Sequence, residues 1–192
     1  MFGPLVTACV IAGGDAVKQF IANGVKDSKQ ITSDATVLKL NKEIRTLDCV
    51  VKTMCFSMEK YNELYVKFNR NMNILLGWMH ACSLKSALAE KRVTWGILDQ
   101  FSKKPIVQTM LNDPGFNLKM QVRAESDPVV AAASIVARAE YVEQMEKLSK
   151  LAGMQLRKGA SSFVTKQAAE LKKRVGEEGI KNFVKLHFKT AP

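Results

Sequence analysis

The run Ala124-Glu125-Ser126-Asp127-Pro128-Val129-Val130-Ala131-Ala132-Ala133-Ser134-Ile135-Val136-Ala137-Arg138 restricts the fold of this 192-residue chain more than any other stretch. Asp127-Pro128 joins an N-cap carboxylate to a proline at the first helical position, where the missing N–H is no loss and φ is already helical. The helix it opens begins with a turn of small residues, and Glu125 stands just outside it. Upstream, Asp99 closes the apolar run Val93-Thr94-Trp95-Gly96-Ile97-Leu98. Acids at the exits of two neighbouring elements, in an otherwise basic chain, point to a divalent-metal site acting on a polyanion.

The rest of the chain alternates between strand and helix patterns. Residues 5–11 read as a buried strand closed by Gly13-Gly14, and a short helix follows over 16–22 until Asn23-Gly24. Ser33 or Asp34 caps a helix to about 47, with Val37, Leu40, Ile44 and Leu47 at spacings of three and four. Residues 49–58 read as a strand, and 59–90 as a helical region broken near 69–73. Residues 93–98 are the next strand, 105–111 a short helix and 116–122 another strand. The helix opened at Asp127-Pro128 runs to about 151, and 161–189 reads as two or three short basic helices. Strands alternating with helices indicate an α/β sheet flanked by helices. The expected organisation is an α/β domain over 1–150 with a basic helical extension of the same domain over 151–192.

Charge narrows the partner. The net charge is +11, and residues 147–192 hold eleven Lys/Arg against three acids. A surplus of that kind suits a phosphate backbone, since each contact releases counterions; solubility alone is the plainer alternative. The cysteines Cys9, Cys49, Cys55 and Cys82 show no metal-ligand spacing, and read as reduced and structural. The apolar start of the chain has no basic leader and is too short for a bilayer span. A cytoplasmic protein is expected.

Several segments, in order, resemble a known family. They are Phe2-Gly3-Pro4-Leu5-Val6, Gly24-Val25-Lys26-Asp27-Ser28-Lys29, Lys60-Tyr61-Asn62, and Asn71-x-Asn73 followed by His80. Leu98-Asp99-Gln100-Phe101, the alanine-rich segment 124–138, Lys158-Gly159-Ala160-Ser161 and Lys185-Leu186-His187-Phe188 complete the set. Together they resemble bacterial ribonuclease HIII, a type 2 ribonuclease H, over essentially the whole chain. The resemblance implies a ribonuclease H-like fold that cuts the RNA strand of RNA–DNA hybrids with Mg²⁺ or Mn²⁺. It implies four acids, of which Asp99 and Glu125 match the last two. The family's Asp-Glu pair, on a first strand preceding the Phe2-Gly3-Pro4 match, has no counterpart in this sequence. The chain is therefore expected to be an N-terminally shortened form. It would hold one ion weakly or none and be nearly inactive on hybrids. In that fold the first strand lies between those matching 5–11 and 93–98. Without it, either these two pair directly or a cleft with open edges remains beside Asp99.

Other residues carry two readings each. Lys29 and the Ser28 hydroxyl present themselves to a phosphate, or residues 26–29 form a loop held by side-chain-to-backbone hydrogen bonds. Asn71 and Asn73 contact nucleic acid or cap a helix. Lys158, Gly159 and Ser161 suit phosphate contact, or simply open a helix. His187 shuttles protons or packs, and Tyr61 with Tyr65 belongs to the core or stacks bases. Three functional readings follow. The first is an endoribonuclease of the ribonuclease HIII type, monomeric, with an RNA–DNA hybrid as partner and no membrane or protein partner implied. The second is a catalytically dead basic fragment that binds nucleic acid without cleaving it. The third is a basic structural or interaction protein.

Overall fold

The computed structural model describes residues 1–188. The elements run β1 (Val6–Ala12), α1 (Gly14–Ala22), a 3-10 turn (Ser28–Gln30), α2 (Asp34–Thr46), β2 (Cys49–Cys55), α3 (Met58–Lys67) and α4 (Met72–Glu90). They continue with β3 (Trp95–Asp99), α5 (Ile106–Leu111), β4 (Asn117–Gln121), a 3-10 turn (Ala124–Ser126), α6 (Pro128–Ala152) and α7 (Ser162–Ile180). The chain is α/β, its strands alternating with helices along the sequence. It divides into two compact units, one of Thr7–Met54 and Met72–Ala139, the other of Met1–Val6, Cys55–Asn71 and Glu140–Pro192.

Local chemistry sets the element boundaries. Ser33, rather than Asp34, caps α2: its hydroxyl accepts the Thr36 N–H at 3.3 Å, and Val37, Leu40 and Ile44 are buried on one face. The strand expected over 49–58 ends at Cys55, because the Ser57 hydroxyl accepts the Lys60 N–H at 3.2 Å and opens α3 instead. Asn69 and Arg70, with φ of 54° and 56°, break the helical region where sequence placed the break. Asp127 caps α6 as expected, its carboxylate accepting Val129 N–H at 2.8 Å and Val130 N–H at 3.2 Å. At the other end of the chain α7 is interrupted at Gly176, whose φ of 76° a β-carbon would strain.

The four described strands lie in the first unit, apart from the end residues Val6 and Cys55. Beneath its first sheet, Phe20, Val37 and Ile44 pack against Ala132, Ile135, Val136 and Ala139, the small and branched face of α6. A second cluster joins Ile11 and Val50 to Leu84, Ala87, Leu111 and Phe116. The other unit has its own core, in which Phe2 and Met145 meet Val164, Leu171, Ile180 and Val184. Gly3 is required there: its φ is +85°, and a β-carbon would come within 2.7 Å of the Tyr141 ring.

The described strands form two separate two-stranded sheets. β1 is bonded to β2, and β3 runs parallel to β4. β1 and β3 do not pair. Instead a groove of about 270 Å³ is lined by Val10, Ile11 and Ala12 of β1 and by Gly96, Ile97 and Leu98 of β3. Consecutive residues of a strand point to opposite faces. A groove bordered by consecutive residues of two strands is therefore bounded by their edges. Of the two outcomes foreseen from sequence, the open cleft is the one realised.

The α6 cap gives a stability test. Replacing Asp127 by Ala removes the acceptor for two helix N–H groups and is expected to lower unfolding free energy by about 1 kcal/mol, whereas Asp127→Asn retains most of it. Urea unfolding should show a lower midpoint with an unchanged slope. Equal midpoints for Asp127→Ala and the parent chain would contradict this role.

Candidate metal site

The parallel pairing of β3 and β4 sets the first acid. Register places Asp99, the last residue of β3, opposite Gln121, the last of β4. The pairing extends one bond further, from Gln100 N–H to the Gln121 carbonyl at 3.0 Å. Beyond β4 the chain turns through Arg123, held in the left-handed region at φ 57°, and enters the 3-10 turn. That reversal brings the Ala124 N–H onto the Asp99 carboxylate at 3.1 Å. Glu125 is the next residue, and Asp99 stands near enough to act on its titration. The two acids singled out from sequence meet at one end of the β3–β4 pair.

A cation from another loop completes the cluster. Lys29 Nζ donates to Glu125 Oε1 at 3.2 Å. The loop carrying Lys29 is fixed from both sides. Asp27 accepts the Lys29 N–H at 2.9 Å, and Ser134 of α6 accepts the Ser28 N–H at 3.3 Å. Arg138, one turn further along α6, donates to the Ser28 carbonyl, to the Ile31 carbonyl at 2.6 Å and to Asp34 at 3.3 Å. Ser28 itself is buried, and Lys29 is exposed.

These contacts bias protonation. Glu125 is held below the ordinary carboxylate range, first by its own backbone N–H and then by Lys29. Lys29 is correspondingly pushed up, chiefly by its hydrogen bond to Glu125. Both shifts favour the charged pair at neutral pH.

The donor set suits a hard divalent cation. Mg²⁺ and Mn²⁺ take carboxylate oxygens, and Mg²⁺ keeps several waters. Glu125 Oε2 is buried and has no hydrogen-bond partner, while Oε1 is engaged by Lys29. An ionised oxygen left without a donor is costly unless a cation or water meets it. Asp99 and Glu125 thus fit one ion. Among the described residues no group of three or more His, Cys, Asp or Glu could hold a metal, so this pair is not extended to a two-ion cage.

The remaining candidates lie in the other unit. Asn71 immediately precedes α4, and Lys158 sits over the Tyr141 ring at 6.0 Å. Gly159 adopts φ 90°, and Ser161 is the N-cap residue of α7, its carbonyl accepting the Thr165 N–H at 3.1 Å. His187 stacks on Tyr65 at 4.2 Å, and Tyr61 is buried at 2% exposure. In the sequence Arg138 is marked only by its place at the end of the alanine-rich segment. Its role as the clamp on residues 28–34 depends on contacts more than 100 positions apart, and only a buried-facing arginine in an alanine-rich helix could have signalled it.

The ribonuclease HII family matches residues 1–191. The chain is 38% identical to the ribonuclease HIII of Protochlamydia amoebophila over 191 residues, which are 98% of this chain and 62% of that protein. It is 39% identical to that of Chlamydia pneumoniae, with 98% and 64% covered. The chain therefore spans somewhat under two thirds of the length of these relatives. Among solved structures, Bst-RNase HIII in complex with Mn²⁺ superposes with a TM-score of 0.89 at 28% identity, covering 98% of this chain and 63% of that one. Aquifex aeolicus RNase H3 superposes with a TM-score of 0.80 at 25% identity, covering 98% and 68%.

The Lys29–Glu125 pair has a defined pH signature. A carboxyl whose folded pKa is depressed stabilises the fold above its unfolded pKa, and that contribution is lost as pH falls through the folded pKa. Carboxyl-detected NMR should place the Glu125 midpoint below that of free glutamate, and Lys29→Met should move it upward. A midpoint unchanged by Lys29→Met would contradict the pairing.

Proposed function

Because this chain belongs to the ribonuclease HII family, we propose that it serves endonucleolytic hydrolysis of the RNA strand of RNA–DNA hybrids, with Asp99 and Glu125 as metal-holding acids. The observation that carries the reading is the meeting of these two carboxylates, with Glu125 Oε2 left unpartnered. Both acids lie close to the loop that carries the cationic Lys29, a setting suited to chemistry on a phosphodiester. A bound Mg²⁺ or Mn²⁺ supplies Lewis acidity and an activated water.

The chain's own residues do the positioning. Asp99 is oriented by the Ala124 N–H, and Glu125 by Lys29, so neither carboxylate must reorganise to receive a cation. Lys29 also keeps Glu125 ionised. Beside them a groove lined by Lys26, Arg123 and Glu125 offers two cationic side chains to a phosphate backbone. A second reading, binding of hybrid without cleavage, is favoured by the lack of a third metal-ligating residue beside the pair among the described residues.

Two measurements separate these readings. The 192-residue chain, incubated with a hybrid labelled on each strand and millimolar Mg²⁺ or Mn²⁺, is expected to cut the RNA strand alone and slowly. Asp99→Asn and Glu125→Gln should each reduce that rate by at least about a hundredfold. Cutting of the DNA strand, or full activity in both variants, would overturn the first reading; binding with no cutting would establish the second. Hybrid affinity should also fall steeply with salt, and removing Lys158 and Lys173 should flatten the slope by roughly one unit per lost phosphate contact. An unchanged slope would exclude these lysines from the footprint.

A further inference from the structure

Residues 157–163 form a continuous exposed stretch between the end of α6 and the first turn of α7. The stretch carries Arg157, Lys158 and Phe163 and no acid. Phe163 is 63% exposed, and among the described residues no other large apolar side chain between 152 and 185 is exposed. Single exposed apolar residues are common on protein surfaces. What distinguishes this one is the guanidinium of Arg157, which lies over the ring at 5.3 Å from its centroid.

The backbone around Arg157 is pinned from two sides. Leu156 is buried, and its N–H donates to the Ser149 hydroxyl at 3.0 Å. The Gln167 side chain, one turn beyond Phe163 on α7, accepts the Arg157 N–H at 2.9 Å and donates to the Gln155 carbonyl at 2.7 Å. Residues 155–157 are therefore tied to the helix that carries the ring, which keeps the guanidinium within reach of one of its faces. Cations stand nearby. Lys158, the next residue, sits over the Tyr141 ring at 6.0 Å. Lys166 lies three positions along α7 from Phe163, on the same exposed side. Glu170, a further turn away, is the first acid along that side of α7.

We propose that Phe163, backed by Arg157, is a stacking platform for an unpaired nucleobase, so that this surface binds single-stranded nucleic acid, with Lys158 and Lys166 on the phosphates around the stacked base. An aromatic face among cations suits that ligand, because a base supplies a flat π-surface and the strand on either side supplies the anions. Arg157 occupies one face of the ring and leaves the other to the base. A protein partner fits less well. Interfaces centre on contiguous patches depleted of charge, whereas here a lone ring stands among Arg157, Lys158 and Lys166. A paired duplex also fits less well, since its bases stack on one another and present only their edges in the grooves. The ligand is therefore a strand segment outside a duplex, and the contact is indifferent to sequence because every base has a π-face. Such binding needs neither metal nor hybrid, and so stands apart from the proposed cleavage.

Fluorescence anisotropy of the 192-residue chain with a labelled oligothymidylate of about fifteen nucleotides, and with an abasic strand of equal phosphate count, tests the platform. Both titrations are made at low salt in EDTA. The parent chain is expected to prefer the oligothymidylate by about five- to thirtyfold, as one base on one aromatic ring provides. Phe163→Ala, and Phe163→Leu, which keeps an apolar side chain without a flat ring, should both bring that preference close to unity and leave abasic-strand affinity nearly unchanged. Phe163→Trp should restore it. Lys166→Gln should flatten the salt dependence by roughly 0.7 in the log–log slope, the value of one phosphate on a single strand. No preference for bases in the parent chain, or a preference unchanged in Phe163→Ala, would overturn the platform. Self-association that Phe163→Ala abolishes and oligothymidylate does not displace would assign the ring to a second copy instead. A slope unchanged in Lys166→Gln would remove that lysine from the site. Every titration omits metal and hybrid, so failure here is distinct from failure of the proposed function.

Discussion

The Ala124 N–H donating to the Asp99 carboxylate is the contact on which the site depends. It is available only because β3 and β4 are parallel and end together, so that the chain leaving Gln121 turns back over Asp99. The turn uses a left-handed arginine, Arg123, in a region where a β-carbon is unfavourable, and such strain persists where surrounding structure holds it. Asp127 then redirects the chain into α6 within a few residues. Strand end, acid, helix start and second acid are thereby fixed by one short stretch of backbone.

α6 ties this stretch to the rest of the first unit. Its Ala131, Ala132 and Ala139 are fully buried, and their small side chains let β1, α2 and the 28–34 loop approach closely. Ser134 and Arg138 on the same helix hold that loop by its backbone, which is how Lys29 arrives at Glu125. An exposed ion pair of this kind adds little to stability. Its consequence is electrostatic: the carboxylate stays ionised and aimed.

Much of this was legible in the sequence because it is local. Asp127-Pro128 announces α6, the Val93-to-Leu98 run announces β3, and both acids sit at the ends of these signals. The eight ordered segments carried the family. What was not legible depends on partners distant in the chain. Ser57 looked like the end of a strand, yet one hydroxyl-to-backbone bond makes it the cap of α3. Arg138 stood only at the end of the alanine-rich motif, yet it clamps a loop 107 positions away. His80 entered as one residue of a motif, and its place on the groove wall follows only from how α4 packs beside β3.

The central claim is that Asp99 and Glu125 form one cation site held ready by Ala124 and Lys29. Paramagnetic line broadening by Mn²⁺ titrated into the ¹⁵N-labelled chain tests it most directly. The expected result is selective loss of the amide signals of Asp99, Gln100, Ala124 and Glu125 at the lowest Mn²⁺ levels, removed by Asp99→Asn. Broadening that begins elsewhere, or that survives in Asp99→Asn, would contradict it.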